Sequence, residues 1–118
     1  MNTNTLVSPA DAIEQAWQNI KAARAEWNRA AEDDEAAEQL HWQVVDREEE
    51  VIRVTQGGTA RSAEIKIWLA VLHTLTSRHD DDNTMREDLA AISAGEVELD
   101  WTARLMLSAI RDLRAMGA

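Results

Sequence analysis

The apolar residues of this 118-residue chain recur every three or four positions, and no segment alternates apolar and polar residues as a half-buried strand does. Such spacing places side chains on one stripe of an α-helix. With one Pro and four Gly, the chain contains few residues that interrupt helices. The sequence therefore predicts an all-α fold, and its length predicts a single domain over 1–118.

Residues suited to helix ends divide this pattern into segments. Ser8 and Pro9 are favourable at a helix start, and Gly57 and Gly58 are favourable at a helix end. We expect a mobile arm at 1–7. A long antiparallel helical hairpin follows it and packs on a three-helix part. The hairpin helices are predicted at 8–31 and 34–56, and the other three at 60–78, 84–94 and 100–116.

The boundaries in the second half rest on short polar motifs. The segment "RHDDDN" at 78–83 has the composition of a loop. Thr84 and Glu87 have capping-box spacing for the fourth helix, and Asp100 is placed to cap the last one. Four tryptophans lie on or beside apolar stripes and are expected in the core. They are Trp17, Trp27, Trp68 and Trp101.

The strongest charge feature is "EDDEAAEQLHWQVVDREEE" at 32–50, which holds nine acidic residues and one base. It carries −8 of a net charge of −10. An acidic run of this kind either forms a solvated surface or steers the protein toward a basic partner. The negative charge of the chain repels the phosphates of nucleic acid, and the sequence has no cluster of Lys and Arg to bind them. Direct binding to nucleic acid is therefore not expected.

A large apolar ring, Trp42, lies inside this acidic run. We expect the second helix to bury one stripe, formed by Ala37, Leu40, Val44, Val51 and Thr55, which places Trp42 almost opposite the core. Trp42 is then either an interface anchor, or a ring covered by its own chain or by a second copy. Its face is expected to bind a partner through Glu35, Glu38, Trp42, Asp46, Glu49 and Glu50.

Residue patterns of the common enzyme classes are absent from the sequence. It has no phosphate-binding Gly-rich loop, no zinc-protease helix motif, no nucleophile elbow and no Cys. We expect no enzyme activity, no cofactor and no metal site. A metal or hydrolase site built from His41, His73 or His79 is the alternative. The longest apolar run, "IWLAVL", is too short to span a bilayer, and no signal peptide is recognisable, so we expect a cytoplasmic protein that does not enter a membrane.

Three segments resemble small acidic helical proteins of alphaproteobacteria and their prophages. These are the acidic Trp/Ala-rich hairpin, "GGTARSAEIKIWLAVL" and "LDWTARLMLSAIRDLRAMGA". Ala60 replaces the proline usual in that group. The resemblance implies a phage or mobile-element setting and carries over no functional residue.

Charge, Trp42 and this resemblance together lead to one functional hypothesis. We expect a protein-binding module, an inhibitor of the anti-CRISPR or anti-restriction type, that occupies the basic nucleic-acid-binding surface of another protein. The alternative is a homodimeric structural or assembly protein whose hairpin forms a four-helix seam.

Overall fold

The computed structural model of the protein describes residues 7–75 and 77–117. Within them the chain forms six α-helices and one short 3-10 helix and contains no strand, which confirms the all-α prediction. The arm predicted at 1–7 lies outside the described residues apart from Val7, which is exposed. The α-helices are α1 Pro9–Arg29, α2 Glu35–Val54, α3 Ala60–Thr74, α4 Arg78–Met85, α5 Leu89–Ala94 and α6 Trp101–Gly117.

The chain divides into two compact units at the Gly58–Thr59 boundary. In the first unit α1 packs against α2, as the hairpin prediction requires. In the second, α3 packs against α6, and α4 contacts both α3 and α5. The single-domain assignment and the packing of the hairpin on the remaining helices stay predictions.

Side-chain caps set the helix starts that the sequence predicted. Ser8 Oγ accepts a hydrogen bond from the backbone N–H of Asp11 at 3.1 Å, which satisfies one of the free N–H groups of the first turn of α1. Asp34 caps α2 in the same way, accepting from Ala37 N at 3.0 Å. Asp100 caps α6, accepting from Ala103 N at 2.8 Å.

The end of α2 differs slightly from the prediction. The helix stops at Val54, and Thr55 forms its C-cap in an extended conformation. Gly58 does have a left-handed φ of 73°, as a glycine readily can, but it lies beyond the cap. The left-handed glycine therefore turns the chain after the helix and does not cap it.

A fourth helix replaces the loop predicted at 78–83. Helix α3 ends at Thr74, earlier than predicted, and α4 begins at Arg78. Ser77 Oγ accepts from Asp80 N at 3.0 Å, and acids in the first turn interact favourably with the helix dipole. The polar residues at 78–83 have the composition of a loop, but they follow an N-cap, Ser77, and suit the first turn of a helix.

The predicted capping box is also wrong. Thr84 lies inside α4, where its hydroxyl donates to the Asp80 carbonyl oxygen at 2.8 Å. Glu87 occupies the turn after α4 with a φ of 54°, which is unusual for a residue other than glycine. The cap of α5 is Asp88, which accepts from Ala91 N at 3.0 Å.

The core forms from large apolar side chains in both units. Trp17 and Trp68 are fully buried, as predicted. Trp101 is 69% exposed, which contradicts its assignment to the core, because α6 buries the opposite stripe of Ala103, Leu107 and Ile110. None of the helices in the described part of the chain combines the length and the apolar character needed to cross a bilayer.

Candidate functional site

The face that α2 buries is not the predicted one. Its buried residues are His41, Val45, Glu48 and Ile52, whereas Leu40 is 61% exposed. On a helix with 3.6 residues per turn, this stripe is rotated by roughly 75° from the predicted one, toward Trp42. Trp42 therefore lies at the flank of the buried stripe and not opposite the core.

Three rings, Trp27, His41 and Trp42, form an aromatic cluster within the hairpin. The His41 ring lies against Trp27 with centroids 4.5 Å apart and meets Trp42 edge-on at 4.8 Å. The two indoles are 6.0 Å apart and tilted by 60°, an arrangement that suits the quadrupoles of aromatic rings. The cluster covers one side of Trp42 and leaves 44% of the residue exposed.

His41 is the unusual member of the aromatic cluster. It is 2% exposed, and neither ring nitrogen has a hydrogen-bond partner among the described residues. Burial, and secondarily the positive charge of Arg24, lower the pKa of His41 from its ordinary value. A neutral imidazole retains one donor and one acceptor, so both of its polar groups are unmet.

Carboxylates surround the exposed part of Trp42. Glu38 and Asp46 lie one helical turn on either side of it, and Glu35 lies two turns before it. All three are exposed, and none forms an ion pair with another residue in the part of the chain that the structure describes. Their charges are therefore available to a partner without breaking an internal pair.

The remaining two predicted site residues are placed differently. Glu50 accepts two hydrogen bonds of 2.6 Å from the Arg53 guanidinium, which lowers the pKa of Glu50 and offsets its charge. Glu49 is half-buried. The acidic face, defined as Glu35, Glu38, Trp42, Asp46, Glu49 and Glu50, is thus most available in its first three turns.

Sequence reasoning missed the contributions of Trp27 and His41. Trp27 was assigned to the core, yet it is only half-buried and supports Trp42. The sequence does contain a signal for the burial of His41. It lies at helical spacing from Val45, Glu48 and Ile52, which form the buried stripe of α2. Glu48 is 7% exposed and accepts a hydrogen bond from the Asn19 side chain, which explains how a carboxylate lies on a buried stripe.

The second unit contains a charge network of Arg61, Glu64, Trp68, Glu87 and Arg114. The carboxylate of Glu64 accepts from Trp68 Nε1 at 2.9 Å and from Arg114 Nε at 3.1 Å. Arg61 donates to Glu87 Oε2 at 3.0 Å, and Arg114 donates to the Glu87 carbonyl oxygen at 3.0 Å. The Arg114 guanidinium also lies 5.8 Å from the Trp68 ring centroid. The network joins α3 and α6 to the turn after α4. Its hydrogen bonds therefore hold these elements of the second unit together.

The histidines do not assemble a metal centre in the described residues. His41 is enclosed by aromatic rings and His73 is exposed, while the side chain of His79 lies outside the described part. Across 7–75 and 77–117, no group of three His, Asp or Glu side chains is arranged to hold a metal ion.

Comparison with known proteins adds no relative to these observations. No protein-family model matches the chain, and no curated protein or solved structure is significantly similar to it.

Proposed function

We propose that this protein is a binding module that docks its acidic face onto a basic surface of another protein. The observation that carries the proposal is the placement of Trp42, which is 44% exposed and held from below by Trp27 and His41. Tryptophan is enriched among residues that dominate binding energy, especially where a ring is already held in place.

The charge around Trp42 supports a basic partner. Glu35, Glu38 and Asp46 flank the ring and have no ion pairs among the described residues, so they form an acidic rim around an apolar centre. Complementary charge across an interface raises the association rate and excludes partners of the wrong sign. A groove that holds nucleic-acid phosphates is a natural class of basic surface for such a rim.

Blocking such a groove would make the protein an inhibitor that competes with nucleic acid. An inhibitor role of the anti-CRISPR or anti-restriction type belongs to this proposal and is supported by charge and by the resemblance to prophage proteins. We further propose that the protein acts without catalysis, cofactor or metal and that it works in the cytoplasm.

A binding assay against a panel of purified nucleic-acid-binding proteins, including nucleases, tests the proposal. At low salt we expect at least one to bind, and we expect binding to fall with added salt and in competition with duplex DNA, because surface charges are screened. Trp42→Ala should weaken this binding about tenfold or more while helical circular dichroism is unchanged.

A second set of variants tests the contribution of the acidic rim to binding separately from that of Trp42. The double variant Glu38→Gln/Asp46→Asn should weaken binding and flatten its salt dependence. Glu98→Gln/Asp112→Asn is the matched control, because it removes the same charge from exposed positions in the second unit. Equal loss in both variants would show that net charge acts without a docking face. Failure of every panel member to bind at low salt would contradict the proposed partner class.

A further inference from the structure

The aromatic cluster lies at the end of the hairpin where the turn joins α1 to α2. Trp27 belongs to the last turn of α1, and His41 and Trp42 belong to the second turn of α2. Trp17 and Ile52, which are fully buried, lie about three turns away along their helices. Local opening costs least near the ends of elements, where few buried side chains must separate. The aromatic cluster can therefore open while the rest of the hairpin core stays packed.

The cost of keeping His41 in this cluster depends on its protonation state. The ring is 2% exposed and contacts the rings of Trp27 and Trp42, with centroids 4.5 and 4.8 Å apart. Neither ring nitrogen has a hydrogen-bond partner in the described part of the chain. Burying an unpaired charge costs much more than burying a neutral polar group, and an imidazolium has two N–H donors to satisfy. Protonation therefore favours a position in which the ring reaches water.

The charged groups of α1 near the cluster do not give His41 a counter-ion. Arg24 is the group whose charge acts on the ring: after burial, which is the larger cause, it lowers the pKa of His41. Glu26 and Arg29 line the same groove as His41 and are paired with each other. Helix α1 thus opposes a proton on the buried imidazole.

The charged groups of α2 near the cluster are engaged elsewhere or lie in water. Asp34 caps the helix. Glu48 and Arg47 approach each other to 3.9 Å. Glu38, one turn before His41, is exposed. A protonated His41 would therefore gain hydrogen bonds and an opposite charge by moving outward, toward water and Glu38.

We infer that mild acid opens the aromatic cluster, because a protonated His41 leaves its buried position and removes the support of Trp42. The helices stay folded, since the deeper core residues of the hairpin, such as Trp17 and Ile52, do not titrate. Opening takes place in the chain by itself and does not depend on the proposed function. Its consequence for a partner does rest on that function: an anchor that is no longer held in place binds less tightly.

The direction of the pH effect follows from the two positions of the ring. In the open cluster His41 is in water and titrates near its ordinary pKa of 6.5, whereas burial and Arg24 lower its pKa in the closed cluster. Below about pH 6.5 the open form therefore binds more protons. The ratio of open to closed form should rise about tenfold per pH unit until the pH reaches the lower pKa, and should be constant above pH 6.5.

NMR spectroscopy of the full chain, titrated from about pH 7 to about pH 5, tests the inference. This window lies above the ordinary pKa of exposed carboxylates. Cross-peaks between the rings of Trp27 and Trp42 should weaken as the pH falls, and the indole N–H of Trp42 should shift. Helical circular dichroism should change little. Trp42→Phe assigns the indole resonance.

Two substitutions of His41 are the matched controls. His41→Phe keeps an aromatic ring, His41→Leu keeps an apolar side chain, and neither can accept a proton. The other histidines and all carboxylates titrate in these variants as in the wild type. The Trp42 resonance should therefore be independent of pH in both variants over the same window.

Three results would overturn the inference. One is a Trp42 resonance that does not change in the wild type. Another is the loss of ring cross-peaks together with helicity, because the cluster would then open only when the chain unfolds. The third is a His41 ring that titrates while the Trp42 signals stay constant, because the imidazolium would then remain in the cluster. No partner takes part in these measurements, so failure of the proposed function leaves their outcome unaffected.

Discussion

The aromatic cluster of the first unit and the charge network of the second are built from similar residues and satisfy them differently. Each contains tryptophan and a buried titratable group. In the charge network, the Oε2 atom of Glu64 accepts hydrogen bonds from Trp68 Nε1 and Arg114 Nε. In the aromatic cluster, His41 is equally buried, but its nitrogens have no hydrogen-bond partner among the described residues. The difference separates a cluster whose buried polar groups are hydrogen-bonded from one whose histidine nitrogens are not.

Removing Glu64 should have the largest effect on stability. Glu64→Ala leaves the Trp68 N–H buried without an acceptor and removes a partner of Arg114. We expect the free energy of unfolding to fall by about 3 kcal/mol, near the lower end for a broken buried pair, since the arginines are partly exposed and regain water. Urea unfolding followed by circular dichroism measures it. Glu98→Ala, an exposed acid of the same unit, should change stability little. Equal losses would contradict a structural role for the network.

Replacing His41 should have the opposite sign. His41→Leu removes two unmet polar groups from a buried position and keeps an apolar side chain between Trp27 and Trp42. We expect the free energy of unfolding to rise by about 1–2 kcal/mol, because the desolvation penalty of the ring nitrogens disappears. The measurement is urea unfolding at neutral pH. A loss of stability instead would mean that the imidazole nitrogens of His41 are hydrogen-bonded in the folded protein. The aromatic cluster would then resemble the charge network in this respect.

Acid should destabilise the aromatic cluster specifically through His41. Its pKa is lowered in the folded protein by burial first and by Arg24 second, whereas the unfolded chain titrates near the ordinary value of 6.5. Below about pH 6.5 the unfolded state therefore binds more protons, and stability declines until the pH passes the lower folded pKa. The slope is at most about 1.4 kcal/mol per pH unit for one proton.

The comparison of unfolding curves for wild type and His41→Leu isolates this contribution. Carboxylates titrate in both proteins, so the difference between their stabilities reports the histidine. It should widen as the pH falls from 6.5 and then become constant. A difference that is independent of pH over this window would show that His41 accepts its proton as readily in the folded state.

The smallest stability effect is expected at the exposed edge of the aromatic cluster. Trp42→Ala should lower the free energy of unfolding by about 1 kcal/mol, the central value for single substitutions, because nearly half of the residue is already in water. Thermal unfolding with Trp42→Phe as the conservative control measures this effect. A melting temperature lowered by many degrees would place Trp42 with Trp68 among the residues that hold the fold, and would remove the anchor from the proposed docking face.

Local signals predicted most of the fold. Ser8, Asp34, Thr59 and Asp100 act through hydrogen bonds to residues three positions away, so short motifs are enough to place those helix starts. The same logic explains α4, whose cap, Ser77, is a local signal that the prediction of a loop at 78–83 did not use. Short motifs at the helix starts are thus enough to predict where helices form in this chain, even at 78–83, where the composition suggests a loop.

Orientation of the helices was predicted less well, because it depends on distant partners. In α2, leucine and valine suggested one stripe, while the packed structure buries His41 and Glu48 and exposes Leu40. In α6, the apolar stripe predicted Trp101 in the core, yet Ala103 occupies the buried side. Glu35, Glu38 and Asp46 lie on the Trp42 side of α2, a grouping that depends only on helical spacing. Trp27 packs against Trp42 from the other helix, α1, so the spacing of residues within α2 could not predict this contact.

The restriction of aromatic residues to tryptophan has a spectroscopic consequence. The chain has five Trp, no Phe and no Tyr, so its near-ultraviolet absorption comes from indole alone. Trp27 and Trp42 lie 6.0 Å apart at an angle of 60°, which is close enough for their excited states to couple. That coupling gives the hairpin an intrinsic optical signature, without a label, that any partner covering Trp42 would alter.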